Sequence, residues 1–269
     1  MKCLVYTCVF GEYDWIFPPI LREAGLDYVV VTDDTGLAVT GWRTLVVDVE
    51  CFRGAKAANL HHRSLIHRIL SGYDYSLYVD GNIRLLGRIS KFLEDFSDSG
   101  AAMGLYRHPI RSSVREEAET CLKSGKVAEP DRLEAELAYY RSDGFPDDMG
   151  LVETGIILKN HRHPDLDRAM ALWWQLFEQF GTRDQITLPY VLWKTGVSCM
   201  YHADSFRGPN PYFGLYTHRG DQRAPRFYGY VEGRAYDSLC YAAILRAWRF
   251  SWSVRRTFRP LLKGIGGSR

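Results

Sequence analysis

The chain has 269 residues, of which 46% are apolar and 25% are charged, and its formal net charge is +2. This composition excludes an intrinsically disordered chain and is sufficient for a sizeable hydrophobic core. A net charge so close to zero does not indicate a polyanionic partner, and we expect no nucleic acid.

Seven short segments rich in apolar, β-branched and aromatic residues predict strands, and five segments with helical periodicity or capping residues predict helices. The predicted strands are Lys2–Phe10, Asp27–Thr32, Thr44–Val49, Tyr75–Asp80, Ala101–Tyr106, Val152–Leu158 and Val197–Tyr201. The predicted helices are Ala55–Leu70, Ser113–Ser124, one that begins at Pro130, His163–Phe180 and Arg183–Lys194. Strand and helix alternate in the first half of the chain, which predicts an α/β fold with a mostly parallel sheet and helices on its faces.

Two longer segments interrupt this alternation. Arg107–Gly150 is polar and punctuated by Gly and Pro, and we interpret it as an insertion over the sheet edge. Ser205–Gly229 is rich in Gly, Pro, Asn, Tyr and Arg, and a loop of this length is usually functional.

The last part of the chain is basic and aromatic. Residues 246–269 contain seven Lys or Arg and no acid, interleaved with four rings: Trp248, Phe250, Trp252 and Phe258. We therefore predict a main domain over residues 1–235 and a basic, aromatic helical extension over residues 236–269. Such a composition suits an anionic membrane surface, and it would also suit nucleic acid. The alternative is a solvated terminal helix whose rings pack on the core.

The six cysteines are scattered and form no C-x-x-C motif, which excludes a zinc ribbon and a thioredoxin-type site. The first residues are charged too early for a signal peptide, and no run of about 18 apolar residues predicts a membrane span. These features favour the reducing cytoplasm. The basic extension would then hold the protein peripherally at the inner membrane.

The most informative segment is the apolar run that begins at Tyr75 and ends abruptly at Asp80, Gly81 and Asn82. A buried strand here would place a carboxylate at the carboxyl edge of the sheet, where open α/β folds bind ligands. Such a carboxylate commonly holds a divalent cation against phosphates. Asp-Gly between apolar runs is also a strong hairpin signal, so a simple turn is the alternative.

The first strand runs directly into Phe10, Gly11 and Asp14, where backbone groups would hold a nucleotide base. Neither G-x-G-x-x-G nor a Walker A motif is present, so dinucleotide binding and P-loop chemistry are not supported. Asp33 follows the second strand and could bind a ribose hydroxyl. A solvated turn before Gly36 is the alternative.

Three polar residues share one face of the helix after the third strand. Lys56, Asn59 and Arg63 are spaced i, i+3 and i+7, which places them on one side of a helix. This side could meet a diphosphate and the hydroxyls of a sugar. It could equally be the solvated face of an amphipathic helix.

Further polar residues come later in the chain. Glu153 begins a predicted strand, and Asp184 and Gln185 begin a short helix, where Asp184 would serve as a cap or bind sugar hydroxyls. His202 and His218 flank the loop around residues 206–216, and either could complete a metal site.

Five of these segments, in this order, resemble the TOD/MUCI-type glycosyltransferase-like family, which is similar to the glycogenin-like transferases. The segments are YTCVFGEYD, VTDDTG, SLYVDGNI, ETGIILKNH and RDQITLPYVLWK, and the resemblance as a whole extends over about residues 2–201. The resemblance implies a single GT-A-type, Rossmann-like domain and a nucleoside-diphosphate-sugar donor such as a UDP-sugar. It also implies a glycan or glycolipid acceptor, as in polysaccharide or lipopolysaccharide biosynthesis.

The resemblance also implies roles for individual residues. Asp80 and Asn82 would form the two ends of a D-x-D motif for Mn²⁺ or Mg²⁺, with His218 as a third ligand and His202 as its rival. Because Asn82 replaces a carboxylate, metal binding would be weaker or dispensable. The predicted catalytic residues are Asp184 and Glu153. The predicted donor-binding residues are Thr7, Phe10, Gly11, Asp14, Asp33, Lys56, Asn59, Arg63 and Gln185, with Lys56 and Arg63 directed at the phosphates.

The sequence therefore predicts a metal-assisted glycosyltransferase. Two other functions stay open at this point. One is a metal-dependent hydrolase built around Asp80, Asp184 and His218. The other is an inactive nucleotide-sugar-binding module, which the substitution at Asn82 would favour.

Overall fold

A computed structural model describes residues 2–202, 205–207, 210–216, 218–219, 231, 235, 239–248 and 250–251. The chain divides into two compact units, Met1–Leu215 and Tyr216–Arg269. In the second unit, residues 239–248 are helical. Most of the predicted basic extension, including Trp252 and Phe258, lies outside the described residues, and the predicted domain boundary after residue 235 stays a prediction. No helix within the described ranges is long and apolar enough to cross a membrane.

The described part of the first unit is built from short strands and helices in mixed order. The strands are β1 (Cys3–Val9), β2 (Leu26–Thr32), β3 (Arg43–Val46), β4 (Tyr75–Val79), β5 (Ile83–Leu85), β6 (Met103–Arg107), β7 (Val152–Asn160), β8 (Cys199–His202) and β9 (Phe213–Leu215). The helices are α1 (Ala55–Ile69), α2 (Ser90–Ser99), α3 (Val114–Lys123), α4 (Pro130–Ser142), α5 (Leu166–Phe180) and α6 (Asp184–Thr195).

Seven strands form the central sheet, in the order β3-β2-β1-β4-β7-β6-β8. Four neighbouring pairs are parallel, and β7 runs antiparallel to both β4 and β6. The predicted α/β class with a mostly parallel sheet is confirmed. Because β7 is reversed, its first residues lie at the edge where β1, β2 and β4 end. Side chains at the ends of the parallel strands and at the start of the antiparallel strand β7 therefore lie at the same edge.

Each face of the sheet is covered by apolar side chains. On one face, α1, α5 and α6 pack over the sheet. The predicted apolar stripe of α5 lies in this core, and its Trp173 is completely buried. On the other face, α2 and the small two-stranded sheet of β5 and β9 cover the strands.

All seven predicted strands are present, with shifts of a few residues at their ends. The sequence analysis missed α2 and the short strands β5 and β9. The segment interpreted as an insertion forms α3 and α4, which pack against α6 and α5. It contributes Val114, Leu133 and Tyr140 to the main core and is thus more than a cover for the sheet edge.

Gly104 in β6 is predicted to be sensitive to substitution because the sheet and α2 approach each other closely there. An added Cβ would lie 2.9 Å from two Leu158 carbons and 3.0 Å from Phe96 Cδ2. We expect Gly104→Ala to lower the free energy of unfolding by about 1–3 kcal/mol, measured by urea denaturation. Gly36→Ala is the control, because its Cβ would meet only Asp34 Oδ1 at 3.4 Å. Equal stability of the two variants would contradict this account of the packing.

Candidate functional site

Asp80 directly follows β4, at the carboxyl edge of the sheet. Its N–H donates to the Gly155 carbonyl at 2.8 Å, and its Oδ1 accepts a hydrogen bond from the Tyr78 hydroxyl at 2.7 Å. About a third of its side chain, 34%, is exposed. A turn does follow, since the Ile83 N–H donates to the Asp80 carbonyl at 2.9 Å. However, β5 pairs with β9 and not with β4, so the hairpin alternative is wrong.

Arg63 joins Asp80 to a second carboxylate. Its Nη2 lies 2.7 Å from Asp184 Oδ2, and its Nη1 lies 3.7 Å from Asp80 Oδ1. Nη1 also donates to the Thr154 carbonyl at 3.4 Å. The guanidinium is buried, and its Cζ is 5.3 Å from the centroids of both the Tyr78 ring and the Trp173 ring. A buried cation needs such partners, since an unpaired charge in the interior is strongly unfavourable.

Asp184 is the first residue of α6 and is itself buried. Its Oδ2 accepts a hydrogen bond from the Thr154 hydroxyl at 2.6 Å in addition to the one from Arg63. Burial raises the pKa of this carboxyl. The charges of Arg63 and Arg183, together with these hydrogen bonds, outweigh burial and hold the pKa below its ordinary value of 3.8. Asp184 is therefore a fixed anion at neutral pH.

The polar face of α1 lies against the carboxyl edge of the sheet. This position is the one required if the face is to meet a ligand. Lys56 Nζ donates to the Thr182 carbonyl, and Asn59 Nδ2 donates to the Cys8 carbonyl at 2.7 Å. Arg63, two turns further on, reaches Asp184. The structure thus brings three of the predicted residues to the site. Their predicted contact with a donor stays a prediction.

Glu153 lies near the start of β7, and only 1% of it is exposed. Its Oε1 accepts a hydrogen bond from Arg207 Nε, and its Oε2 has no hydrogen-bond partner among the described residues. Burial raises the pKa of Glu153, and the charge of Arg207 opposes this effect. Glu153 thus binds a proton more readily than an exposed glutamate, in contrast to Asp184.

The residues predicted to bind the base and the ribose lie at the ends of β1 and β2. The Gly11 N–H donates to both carboxylate oxygens of Asp33, at 3.1 and 3.2 Å, so Asp33 fixes the turn after β1. The Phe10 ring is buried and packs against His62, which makes it part of the core and not an exposed platform for a base. Thr7 is buried, and its Oγ1 has no hydrogen-bond partner in the described part of the chain.

Asp14 and Gln185 complete the predicted donor-binding set, and both are buried. A Cβ added at Gly81 would lie 3.0 Å from Asp14 Cβ, so Asp14 is close to the turn that follows Asp80. Gln185 Oε1 accepts a hydrogen bond from Arg183 Nη2 at 3.2 Å.

The predicted metal ligands have different outcomes. Asp80 and the buried Asn82 provide hard oxygen donors, which suit Mg²⁺ or Mn²⁺ when phosphate oxygens and water complete the shell. Within the described ranges, no group of three His, Cys, Asp or Glu side chains could hold a metal ion. His218 belongs to the second unit, and its role stays a prediction.

His202 lies in an aromatic cluster. Its ring stacks on Phe92, with the centroids 4.4 Å apart, and it lies 4.8 Å from the Tyr106 ring. Burial lowers its pKa to about 4. Packing against these rings accounts for the position of the His202 ring, and its role as a metal ligand stays a prediction.

The sequence analysis missed two residues of this site. Thr154 donates its hydroxyl to Asp184, and its carbonyl accepts from Arg63. Lys159 lies completely buried on β7 and donates to the main chain of Arg63. The available signal was the lysine itself, which directly follows the apolar run of residues 156–158.

The sequence that builds this site also matches a known protein family. Residues 22–208 match the model of the TOD1/MUCI70, glycosyltransferase-like domain. The chain belongs to this family. The resemblance expected from the sequence is confirmed, and so is the expected class, a glycosyltransferase-like domain.

A curated relative with a related sequence is the probable hexosyltransferase MUCI70 of Arabidopsis thaliana, which is 27% identical over 180 residues. The match covers 63% of this chain and 29% of MUCI70, so the chain spans less than a third of that relative's length.

Two solved structures are similar in part. Mouse xyloside xylosyltransferase 1 in its apo form gives a TM-score of 0.45 at 12% identity, over 75% of this chain and 85% of that chain. The apo WbbM bifunctional glycosyltransferase gives a TM-score of 0.42 at 11% identity, over 75% of this chain and 38% of that chain.

The pair of Arg63 and Asp184 makes a pH-dependent contribution to stability. We expect Asp184→Asn to lower the free energy of unfolding at pH 7 by on the order of 3 kcal/mol, because it leaves a buried guanidinium without its main counter-charge. The folded pKa of Asp184 is lowered, so its stabilisation is present above the ordinary value of 3.8 and is lost as the pH falls below that value. Urea denaturation should therefore show the difference between wild type and variant narrowing below about pH 4.

Asp167→Asn provides the matched control. Asp167 is an exposed carboxylate that lies 2.5 Å from Arg68 Nε. An exposed ion pair of this kind contributes about 1 kcal/mol or less. If Asp184→Asn were as mild as this control at pH 7, the buried pair would not have the importance assigned to it.

Proposed function

We propose that the chain transfers a sugar from a nucleoside-diphosphate sugar to a hydroxyl group of a glycan or glycolipid acceptor. The observation that carries the proposal is the position of Asp80 at the carboxyl edge of the sheet, held with Asp184 by one buried arginine. Ligands of open α/β folds bind outside this edge. Membership of a glycosyltransferase-like family supports the same conclusion.

The chemistry requires charge stabilisation on both sides of the bond that breaks. Negative charge develops on the leaving diphosphate and positive charge on the anomeric carbon. A divalent cation held by Asp80 and Asn82 would supply Lewis-acid stabilisation of the diphosphate. Lys56, exposed near the amino-terminal end of α1, is the cation that we assign to the phosphates.

The two predicted catalytic carboxylates have different environments and hence different tasks. Asp184 has a lowered pKa and two strong hydrogen bonds, so it is a poor base and a good fixed anion for orienting the sugar. Glu153 has a raised pKa and an unpaired Oε2 among the described contacts. In our proposal, Glu153 takes the proton of the acceptor hydroxyl. The acceptor oxygen then forms a bond to the anomeric carbon, and the sugar–phosphate bond breaks with its electrons leaving on the diphosphate.

This division of tasks places a condition on the loop after β8. Arg207, in that loop, donates to Glu153 and would have to release it before an acceptor could approach. Covering and uncovering of a site by a loop is common in enzymes that must exclude water from a reactive donor.

The activity test compares wild type with Asp80→Ala on a panel of UDP- and GDP-sugars, with oligosaccharide acceptors and with water alone. We expect the Asp80→Ala variant to lose at least about 100-fold in kcat, the size typical of removing one preorganised electrostatic group. Asp95→Ala is the control, because Asp95 is an exposed carboxylate on α2 paired with Lys91. Full activity of Asp80→Ala would refute the proposed site. Turnover with water that no acceptor increases would identify a hydrolase.

Metal removal gives an independent prediction. We expect chelation with EDTA to reduce transfer and Mn²⁺ or Mg²⁺ to restore it, because Asp80 and Asn82 supply oxygen ligands suited to these ions. Asn82 carries no charge, so Asn82→Asp would add a negative ligand for the metal. The concentration of Mn²⁺ or Mg²⁺ that gives half of the full activity should therefore be lower in this variant. Transfer that is unaffected by EDTA, with no metal found in the protein by elemental analysis, would show that the reaction is metal-independent.

A further inference from the structure

We propose that Lys159 is a positioning residue, which holds Arg63 between Asp80 and Asp184 by binding the main chain of α1 from the sheet. The inference rests on the proposed function for its kinetic test only. Its structural test is independent of any activity.

Lys159 is completely buried on β7, on the face of the sheet that α1 covers. Its Nζ donates to the Tyr6 hydroxyl at 2.8 Å, to the Arg63 carbonyl, and to the Ser64 carbonyl at 3.3 Å. All three acceptors belong to β1 or α1. Lys159 therefore ties the helix that carries Arg63 to the sheet that carries Asp80.

These contacts occur where α1 is bent. Leu65 has φ −100° and ψ 16°, outside the helical range, and it directly follows the two residues whose carbonyls Lys159 binds. The Ser64 hydroxyl donates to the Leu60 carbonyl at 2.7 Å, a contact that often bends helices. Carbonyls beside such a bend need other donors when they are buried.

The Arg63 carbonyl receives two donors from the sheet. The Tyr6 hydroxyl donates to it at 2.8 Å, and Lys159 donates to it as well. The backbone of Arg63 is thus fixed to β1 and β7, while its guanidinium extends to Asp184 and Asp80. A small movement of this part of α1 would shift the guanidinium relative to both carboxylates.

Burying an apolar side chain in the same space would cost less free energy than burying a lysine. Burial, assisted by the charge of Arg63, lowers the pKa of Lys159 to about 7. The neutral amine still has two N–H groups, so it can donate to the helix in either form. A group so unfavourable to bury is explained by the hydrogen bonds that it makes.

The test uses Lys159→Met, which keeps the length and removes the donors. Leu158→Ala is the control, because Leu158 is also fully buried on β7 but packs against the core on the other face. Tyr6→Phe removes the second donor and provides a milder variant should Lys159→Met fold poorly. Urea denaturation ranks the three for loss of stability.

The structural arm measures the ¹⁵N NMR signals of the Arg63 guanidinium, assigned with Arg63→Lys. A guanidinium held on both sides rotates slowly and gives separate Nη signals. We expect these signals to merge in Lys159→Met, to broaden in Tyr6→Phe, and to stay separate in Leu158→Ala. Separate signals in a folded Lys159→Met, or in Tyr6→Phe if Lys159→Met does not fold, would overturn the inference.

The kinetic arm measures kcat and KM for donor transfer. We expect Lys159→Met to lower kcat by about 10- to 100-fold with KM within about twofold, because it misplaces groups without removing them. In an Arg63→Lys background, Lys159→Met should lower kcat no further. Losses that multiply in the double variant would overturn the inference. If wild type itself transfers no sugar, the proposed function fails and the NMR result still decides the role of Lys159.

Discussion

The site depends on the burial of one positive charge. Only 6% of Arg63 is exposed, so its guanidinium must be neutralised by groups that the fold brings to it. Those groups come from three other elements: Asp80 after β4, Thr154 on β7 and Asp184 at the start of α6. The requirement to pair this charge therefore fixes four elements relative to one another. It also gives the buried Asp184 carboxylate the neighbouring positive charge that keeps it ionised.

Much of this arrangement could be predicted from local sequence. The apolar run that ends at Asp80 specified a strand end, and the helical spacing of Lys56, Asn59 and Arg63 specified a shared face. The partner of Arg63 could not be predicted in the same way. Arg63 and Asp184 are 121 residues apart in the chain, and no spacing rule relates them. The resemblance to a family named both residues and assigned Arg63 to phosphate. The structure shows Arg63 paired with two carboxylates, and its contact with a phosphate stays a prediction.

The elements that were missed explain the surroundings of His202, whose role as a metal ligand stays a prediction. β5 and β9 have three residues each and exist as strands because they pair with each other, which no periodic pattern in either segment could reveal. Together with α2 they build an aromatic cluster on the second face of the sheet. His202 stacks on Phe92 of α2 in that cluster. Without knowledge of α2, His202 had no visible packing partner and was interpreted as a rival metal ligand.

The reversed direction of β7 gives Gly155 a particular importance. Its carbonyl accepts the N–H of Asp80, and a Cβ added there would lie 3.1 Å from Asp80 Oδ2 and 3.4 Å from Phe206 Cζ. A methyl group at this position would crowd both the Asp80 carboxylate and the Phe206 ring. Residue 155 therefore has to stay without a side chain if the Asp80 carboxylate is to keep the position that the structure gives it.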